Sequence, residues 1–118
     1  KKSRVHLQKA LNALGSGTSP STIVAIYAGL TGCAAGLGDD ESVDECLRNL
    51  RGLLRGIETL EVDDAWPLQL AGELLHLRDK ARARDAYVLA LEIWERLGHS
   101  KEVTQVRRAM ERLVDNRR

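Results

Sequence analysis

Phenylalanine is absent from this chain, and its aromatic residues are confined to Tyr27, Trp66, Tyr87 and Trp94. The core must therefore be built from Leu, Ala, Val and Ile. Leu and Ala favour helices and long β-branched runs are missing, so an all-α chain is expected. The two cysteines, Cys33 and Cys46, form no C-x-x-C pair and are too few to staple a chain of this length. A reduced, cytoplasmic setting with buried thiols is expected. Excess charge of one sign is also lacking, since 18 Lys and Arg stand against 17 Asp and Glu for a net charge of +1. Bulk electrostatics gives no attraction to nucleic acid or a membrane. The uncharged stretch Thr22 to Leu37 is too short and too rich in Gly and Ala to cross a bilayer. No secretory leader is visible either, because the basic start is followed by Val5-His6-Leu7-Gln8 and not by an apolar run. The chain opens without Met, which points to a processed protein or a segment of a longer one.

What is present fits one domain of 118 residues with an ordinary apolar share of 43%. Six helical segments can be read. The first spans about Ser3 to Leu14, with a stripe of Val5, Leu7, Leu11 and Leu14, and ends at Gly15-Ser16-Gly17-Thr18. Ser19 is a candidate N-cap and Pro20 a first-turn residue for a second helix, about Pro20 to Leu37, buried on most sides. Its Ala25, Gly29, Gly32 and Gly36 make a small-residue surface suited to close helix approach. Ser42-Val43-Asp44-Glu45 reads as a capping box for a third helix reaching about Leu60, with Cys46, Leu47, Leu50, Leu53, Leu54 and Ile57 facing inward. Glu61 to Asp64 is a linker with acidic cap candidates. A fourth helix spans about Ala65 to Leu77 and tolerates Pro67 in its first turn. After a turn at Arg78-Asp79-Lys80, a fifth covers about Ala81 to Leu97, with Ala83, Ala86, Tyr87, Ala90, Leu91 and Trp94 inward and Gly98 at its C′ position. Ser100 is expected to cap a sixth, about Lys101 to Val114, whose stripe is Val103, Val106, Met110, Leu113 and Val114; the tail from Asp115 is expected to fray. Short connections make sequence neighbours antiparallel, so the second and third helices pair, and the fourth and fifth pair.

The two pairs look like a repeat. Cys46, Leu50 and Leu53 share the spacing of Ala83, Tyr87 and Ala90, and Leu30, Cys33, Ala34 and Leu37 then answer to Pro67, Leu70, Ala71 and Leu74, an offset of 37 residues. That lies close to the period of about 34 found in one class of helix–turn–helix arrays. The second pair, roughly Asp64 to Leu97, resembles the tetratricopeptide repeat family. Leu70, Ala71 and Leu74 stand for its large–small–large set, and Ala83, Tyr87 and Ala90 for its small–aromatic–small set. The first pair departs from the pattern at Cys46 and Leu50, and Glu95 stands where the family has a helix-ending Pro. The resemblance implies antiparallel hairpins in a right-handed solenoid of about six helices over residues 1–118. Residues 101–114 would be its capping helix. A six-helix bundle without repeats is the alternative architecture.

The candidate chemistry is sparse. His6, His76 and His99 are scattered, and neither cysteine lies at metal spacing from them. Gly36-Leu37-Gly38-Asp39 lacks the Lys and Ser or Thr of a phosphate loop. The runs Asp39-Asp40-Glu41 and Asp63-Asp64 stand at helix starts, where the helix dipole favours acids, and lack the regular ligand spacing of a calcium loop. No nucleophile, base and orienting group can be assembled. No enzyme activity, catalytic residue, metal or cofactor is therefore expected. Arg107, Arg108, Arg112, Arg117 and Arg118 have no interleaved aromatics, so nucleic acid is not an expected partner.

Charge is nevertheless uneven. Residues 39–64 hold nine acidic and three basic groups, and basic residues dominate on either side. Solvated faces and caps are the plain reading, and steering of a partner the sharper one. The resemblance implies recognition of a protein or peptide through a groove lined by the first helix of each pair. Carried onto this chain, the groove residues are Ala65, Leu68, Gly72, Leu75 and His76, with Thr31 and Ala35 from the first pair. Family variants that clasp a C-terminal carboxylate use Lys and Asn there, so that mode is not expected. An apolar helix or extended peptide suits the groove better, and a second copy of the chain is admitted as a partner. The alternative role is a regulatory helical segment of a larger bacterial signalling or transcription-regulator protein.

Overall fold

The computed structural model describes residues 20–57 and 60–115, and side chains within 22–57 and 60–113. The expected helix at Ser3–Leu14, its Gly-rich stop, the Ser19 cap and the tail at Asn116–Arg118 lie outside these residues. Five helices follow in order: α1 (Pro20–Leu37), α2 (Asp40–Gly56), α3 (Val62–Leu75), α4 (Lys80–Leu97) and α5 (Ser100–Asp115). Among the described residues there are no strands. No described helix is long and apolar enough to cross a membrane.

Local chemistry fixes each boundary. Proline opens α1, where its missing N–H costs nothing. Gly38 closes it at φ 75°, a left-handed conformation that glycine adopts without strain. The Gly38 and Asp39 N–H groups then donate back to Ala35 and Ala34 carbonyls. Asp39, rather than Ser42, caps α2. Its carboxylate accepts the Ser42 N–H at 3.3 Å and the Ser42 hydroxyl at 2.9 Å, so the helix starts earlier than the capping-box motif suggested. It also ends at Gly56, short of Leu60, because Ile57 is extended. Asp79 caps α4 in the same way, accepting the Arg82 N–H at 3.1 Å. Gly98 (φ 74°) ends α4 as expected. Ser100 proves to be the first residue of α5 and not its cap; the His99 carbonyl accepts the Val103 N–H. The linker expected at Glu61–Asp64 is mostly helix. Asp64 is buried there, and its carboxylate accepts the Glu61 N–H at 2.9 Å. Burial pushes the Asp64 carboxyl above its usual range, and that N–H bond offsets part of the shift.

The helices pack as two hairpins side by side. The α1–α2 and α3–α4 pairs are formed as expected, α1 lies against α3, α2 lies against α4, and α5 packs on α4. The hairpins stack in the same sense. Near their starts, Arg82 of α4 meets Asp44 of α2; near their ends, Arg96 reaches the Leu54 carbonyl. The cap aspartates Asp39 and Asp79 are 40 residues apart, three more than the offset read from apolar spacing. The core runs through both hairpins and ends on Val106 and Leu113 of α5. Leu91, Leu53 and Ile57, expected to face inward, are partly buried at its edge.

Ionic contacts clip the hairpins together. Arg82 donates to both Asp44 oxygens at 2.8 and 2.7 Å and to Asp79 at 2.7 Å. Arg78 donates to Asp40 at 2.9 Å and to the Ala35 carbonyl at 3.0 Å. The acidic start of α2 and the basic start of α4 are thus partners within the chain. These groups are part-exposed, so each pair is worth about 0.2–1 kcal/mol, with the bidentate Arg82 contact at the upper end.

Candidate functional site

The seven residues expected to line a groove do not form an open one. Thr31, Ala35, Ala65, Leu68, Gly72 and Leu75 are all buried, and His76 is half-buried. Each is held inside the chain. Thr31 donates its hydroxyl to the Tyr27 carbonyl at 2.7 Å. The Ala35 carbonyl accepts Arg78, and Gly72 lies beneath the Tyr87 ring. His76 meets Tyr87 edge-on, with Nδ1 3.5 Å from the phenolic oxygen. The correction has a simple cause. These positions are the face of α3 turned to α4, and the matching face of α1, so they form the seam between layers. Conversely, Leu70 and Leu74, the large members of the large–small–large set, stand 50% and 45% exposed. Ala71, between them, is fully buried.

The surface that remains open lies on the other side of α3. Trp66, Leu70 and Leu74, spaced four residues apart, form one half-exposed apolar row. Beside it, α1 lines the cleft with Gly29, Cys33 and the buried Gly32, and Gly36 lies one turn further on. Between the rows runs an apolar cleft of about 580 Å³, with Pro67 and Gln69 in its wall and Glu73 as its charged lining group. Glycine keeps the rows close. A Cβ on Gly32 would sit 3.4 Å from the Pro67 carbonyl oxygen, and one on Gly36 would sit 3.7 Å from Leu74.

A second, more polar groove of about 700 Å³ lies between α3 and α5, over Tyr87 of α4. Its rim carries Glu73, His76, Gln105 and Arg112. Beside it, the Trp94 indole N–H donates to Gln69 at 3.0 Å, while Trp66 meets Trp94 edge-on and His99 stacks on Trp94. Burial, with Glu73 nearby, raises the Tyr87 hydroxyl above its ordinary pKa, so it is a neutral hydrogen-bonding group.

The cysteines part company. Cys46 is buried, and burial pushes its thiol up to about 11. Cys33 is exposed at the cleft, against the expectation that both would be packed away. Among the described residues, no group of three or more His, Cys, Asp or Glu is arranged to hold a metal. Arg107 pairs with Glu95 at 2.7 Å.

Sequence reasoning noted Trp66, the α1 glycines and the uncharged run separately and did not join them. The signal was available. Between Trp66 and Leu77, Glu73 is the sole Asp, Glu, Lys or Arg, so α3 is apolar on two faces, and a single neighbouring helix covers one. No family model, curated protein or solved structure matches the chain.

Proposed function

We propose that this chain is a protein–protein interaction module, a scaffold of tandem tetratricopeptide-like hairpins that docks an apolar helix or extended segment in the cleft between α1 and α3. The observation that carries this reading is the row Trp66, Leu70 and Leu74, half-exposed beside the uncharged, glycine-lined α1. Large apolar residues left together on a surface mark recognition sites, and a few such anchors dominate affinity. The same-sense stacking of two hairpins supports the tandem-repeat part of the proposal. The binding surface itself is the outer face of α3, not the seam that the resemblance indicated.

The test is a displayed library of helical peptides selected on the wild-type chain. Selected peptides are then measured on Leu70→Asp and on Val88→Asp, whose site is an exposed apolar position on α4 in the other layer. Binding should fall at least about tenfold for Leu70→Asp and stay unchanged for Val88→Asp. Equal losses, or a library that yields no binder, would sink the reading.

A further inference from the structure

We infer that the segment docked in this cleft is a helix whose basic last turn ends over Gln69 and Glu73, which rests on the interaction reading above and names the partner's chemistry. Four polar side chains are buried among the described residues: Thr31, Ser42, Asp64 and Gln69. The Thr31 and Ser42 hydroxyls donate within the chain, and the Asp64 carboxylate accepts there. Gln69 differs. The Trp94 indole N–H can only donate, so the amide atom it meets at 3.0 Å is fixed as Oε1 and Nε2 is left as a donor. No described group accepts from Nε2. It is not sealed in either, because among the described residues no side-chain nitrogen or oxygen is both fully buried and unpartnered. Nε2 therefore opens where Gln69 lines the surface, at the crest of α3 that the apolar cleft shares with the polar groove.

Glu73 stands one turn along the same face of α3. It is exposed, it is the charged lining group of the cleft, and no described residue forms an ion pair with it. A wholly apolar segment laid over this pair would strip water from a donor and a carboxylate and give nothing back. The last turn of a helix replaces both. Its final carbonyls have no N–H partner within the helix, so one of them accepts from Nε2. Lys or Arg is favoured in that turn by the helix dipole, and its cation meets Glu73. The interior of a helix offers no such carbonyl, since each is already bonded. Apolar residues upstream of that turn then meet Trp66, Leu70 and Leu74.

The helical peptides selected on the full chain test the inference, measured as C-terminal amides. They should carry Lys or Arg in the last turn. On Glu73→Lys their binding should fall at least about tenfold, and peptides with that Lys or Arg exchanged for Glu should recover it. Glu111→Lys, at an exposed acid of α5 outside the cleft, should bind as wild type does. Extending a selected peptide by four alanines continues its helix and occupies the free carbonyls, so affinity should fall about tenfold. Gln69→Glu keeps an acceptor for Trp94 and removes the donor, so it should bind the extended and unextended peptides alike. Circular dichroism of each variant should match wild type. Selected peptides with no basic last turn, binding indifferent to Glu73→Lys or to the extension, or an equal loss on Glu111→Lys overturns this inference alone. A library that yields no binder overturns the interaction reading with it.

Discussion

Replacing Gly72 by alanine should destabilise the fold, although alanine is the better helix former. The structure supplies the sizes of the opposing effects. In the interior of α3 the exchange gains about 1 kcal/mol in helix propensity. The new methyl carbon would lie 2.6, 2.6 and 2.9 Å from three atoms of the Tyr87 ring. Carbon atoms rest about 3.5–4.0 Å apart, so ring and backbone must separate by about 1 Å. Tyr87 is 1% exposed and cannot swing aside. The strain passes into the seam between α3 and α4, the main contact of the second hairpin. Overpacking of this kind costs about 1–3 kcal/mol beyond what local relaxation absorbs. Contacts this short fall in the upper part of that range, so after the propensity gain a net loss of about 1–2 kcal/mol remains, which lowers the midpoint of thermal unfolding by roughly 4–8 °C in a domain this size. Thermal and urea unfolding followed by circular dichroism at fixed low concentration measure it. The control is Gly52→Ala, where the open surroundings should give a gain of about 0.5–1 kcal/mol. The double variant Gly72→Ala/Tyr87→Leu isolates the cause, since without the ring Gly72→Ala should be neutral or stabilising. A Gly72→Ala protein as stable as wild type, or an equal cost with and without the ring, would refute the reasoning.

Two further outcomes follow from charge and burial. Arg82→Gln should cost about 1–2 kcal/mol near neutral pH by releasing Asp44 and Asp79 together. Arg82 holds the Asp79 carboxyl below the usual carboxylate range, so the stability from this group is fully present above that range and is lost as pH falls through the lower folded value. The gap between wild type and variant should therefore narrow on acidification, and a gap independent of pH would count against the ion pairs. Iodoacetamide at pH 8 should modify Cys33 rapidly and Cys46 only on unfolding, because Cys46 is buried and its thiol is pushed up to about 11. Equal rates in peptide mass mapping would contradict the placement of α2 against α1.

Much of the secondary structure was legible because its punctuation is local. Pro20 and Gly38 bracket α1, and Gly98 ends α4, so those boundaries could be read from single residues. Ser42 misled because two cap signals compete within four residues. Asp39 wins, since α1 has already ended at Gly38 and its carboxylate satisfies both the N–H and the hydroxyl of Ser42. The facing of α3 was not legible for a different reason. With Leu68 and Leu75 on one side and Leu70 and Leu74 on the other, apolar periodicity cannot say which side meets α4. The deciding fact is tertiary: only Gly72 leaves room for the Tyr87 ring. The repeat offset failed similarly, because shifting a helical pattern by three residues lands on the same face. The paired aspartate caps set it at 40, a signal that apolar spacing does not contain.

The distribution of charge then explains how a chain with so apolar a face can keep its own layers in register. The ion pairs seen among the described residues lie on α2, α4, α5 and their flanking turns. They orient one hairpin on the next at the helix starts, where Asp40 and Asp44 meet Arg78 and Arg82. Burial of Leu50, Leu68, Tyr87 and Trp94 supplies the bulk of the free energy, yet apolar contact alone is non-directional. Helix α1 carries no charged residue, so no ion pair can set α1 against α3, and that side offers mainly shape, with Trp66, Leu70 and Leu74 beside a glycine-lined helix and Glu73 as the charged group of the cleft. Selectivity on that side therefore falls first to steric fit against Trp66, Leu70 and Leu74.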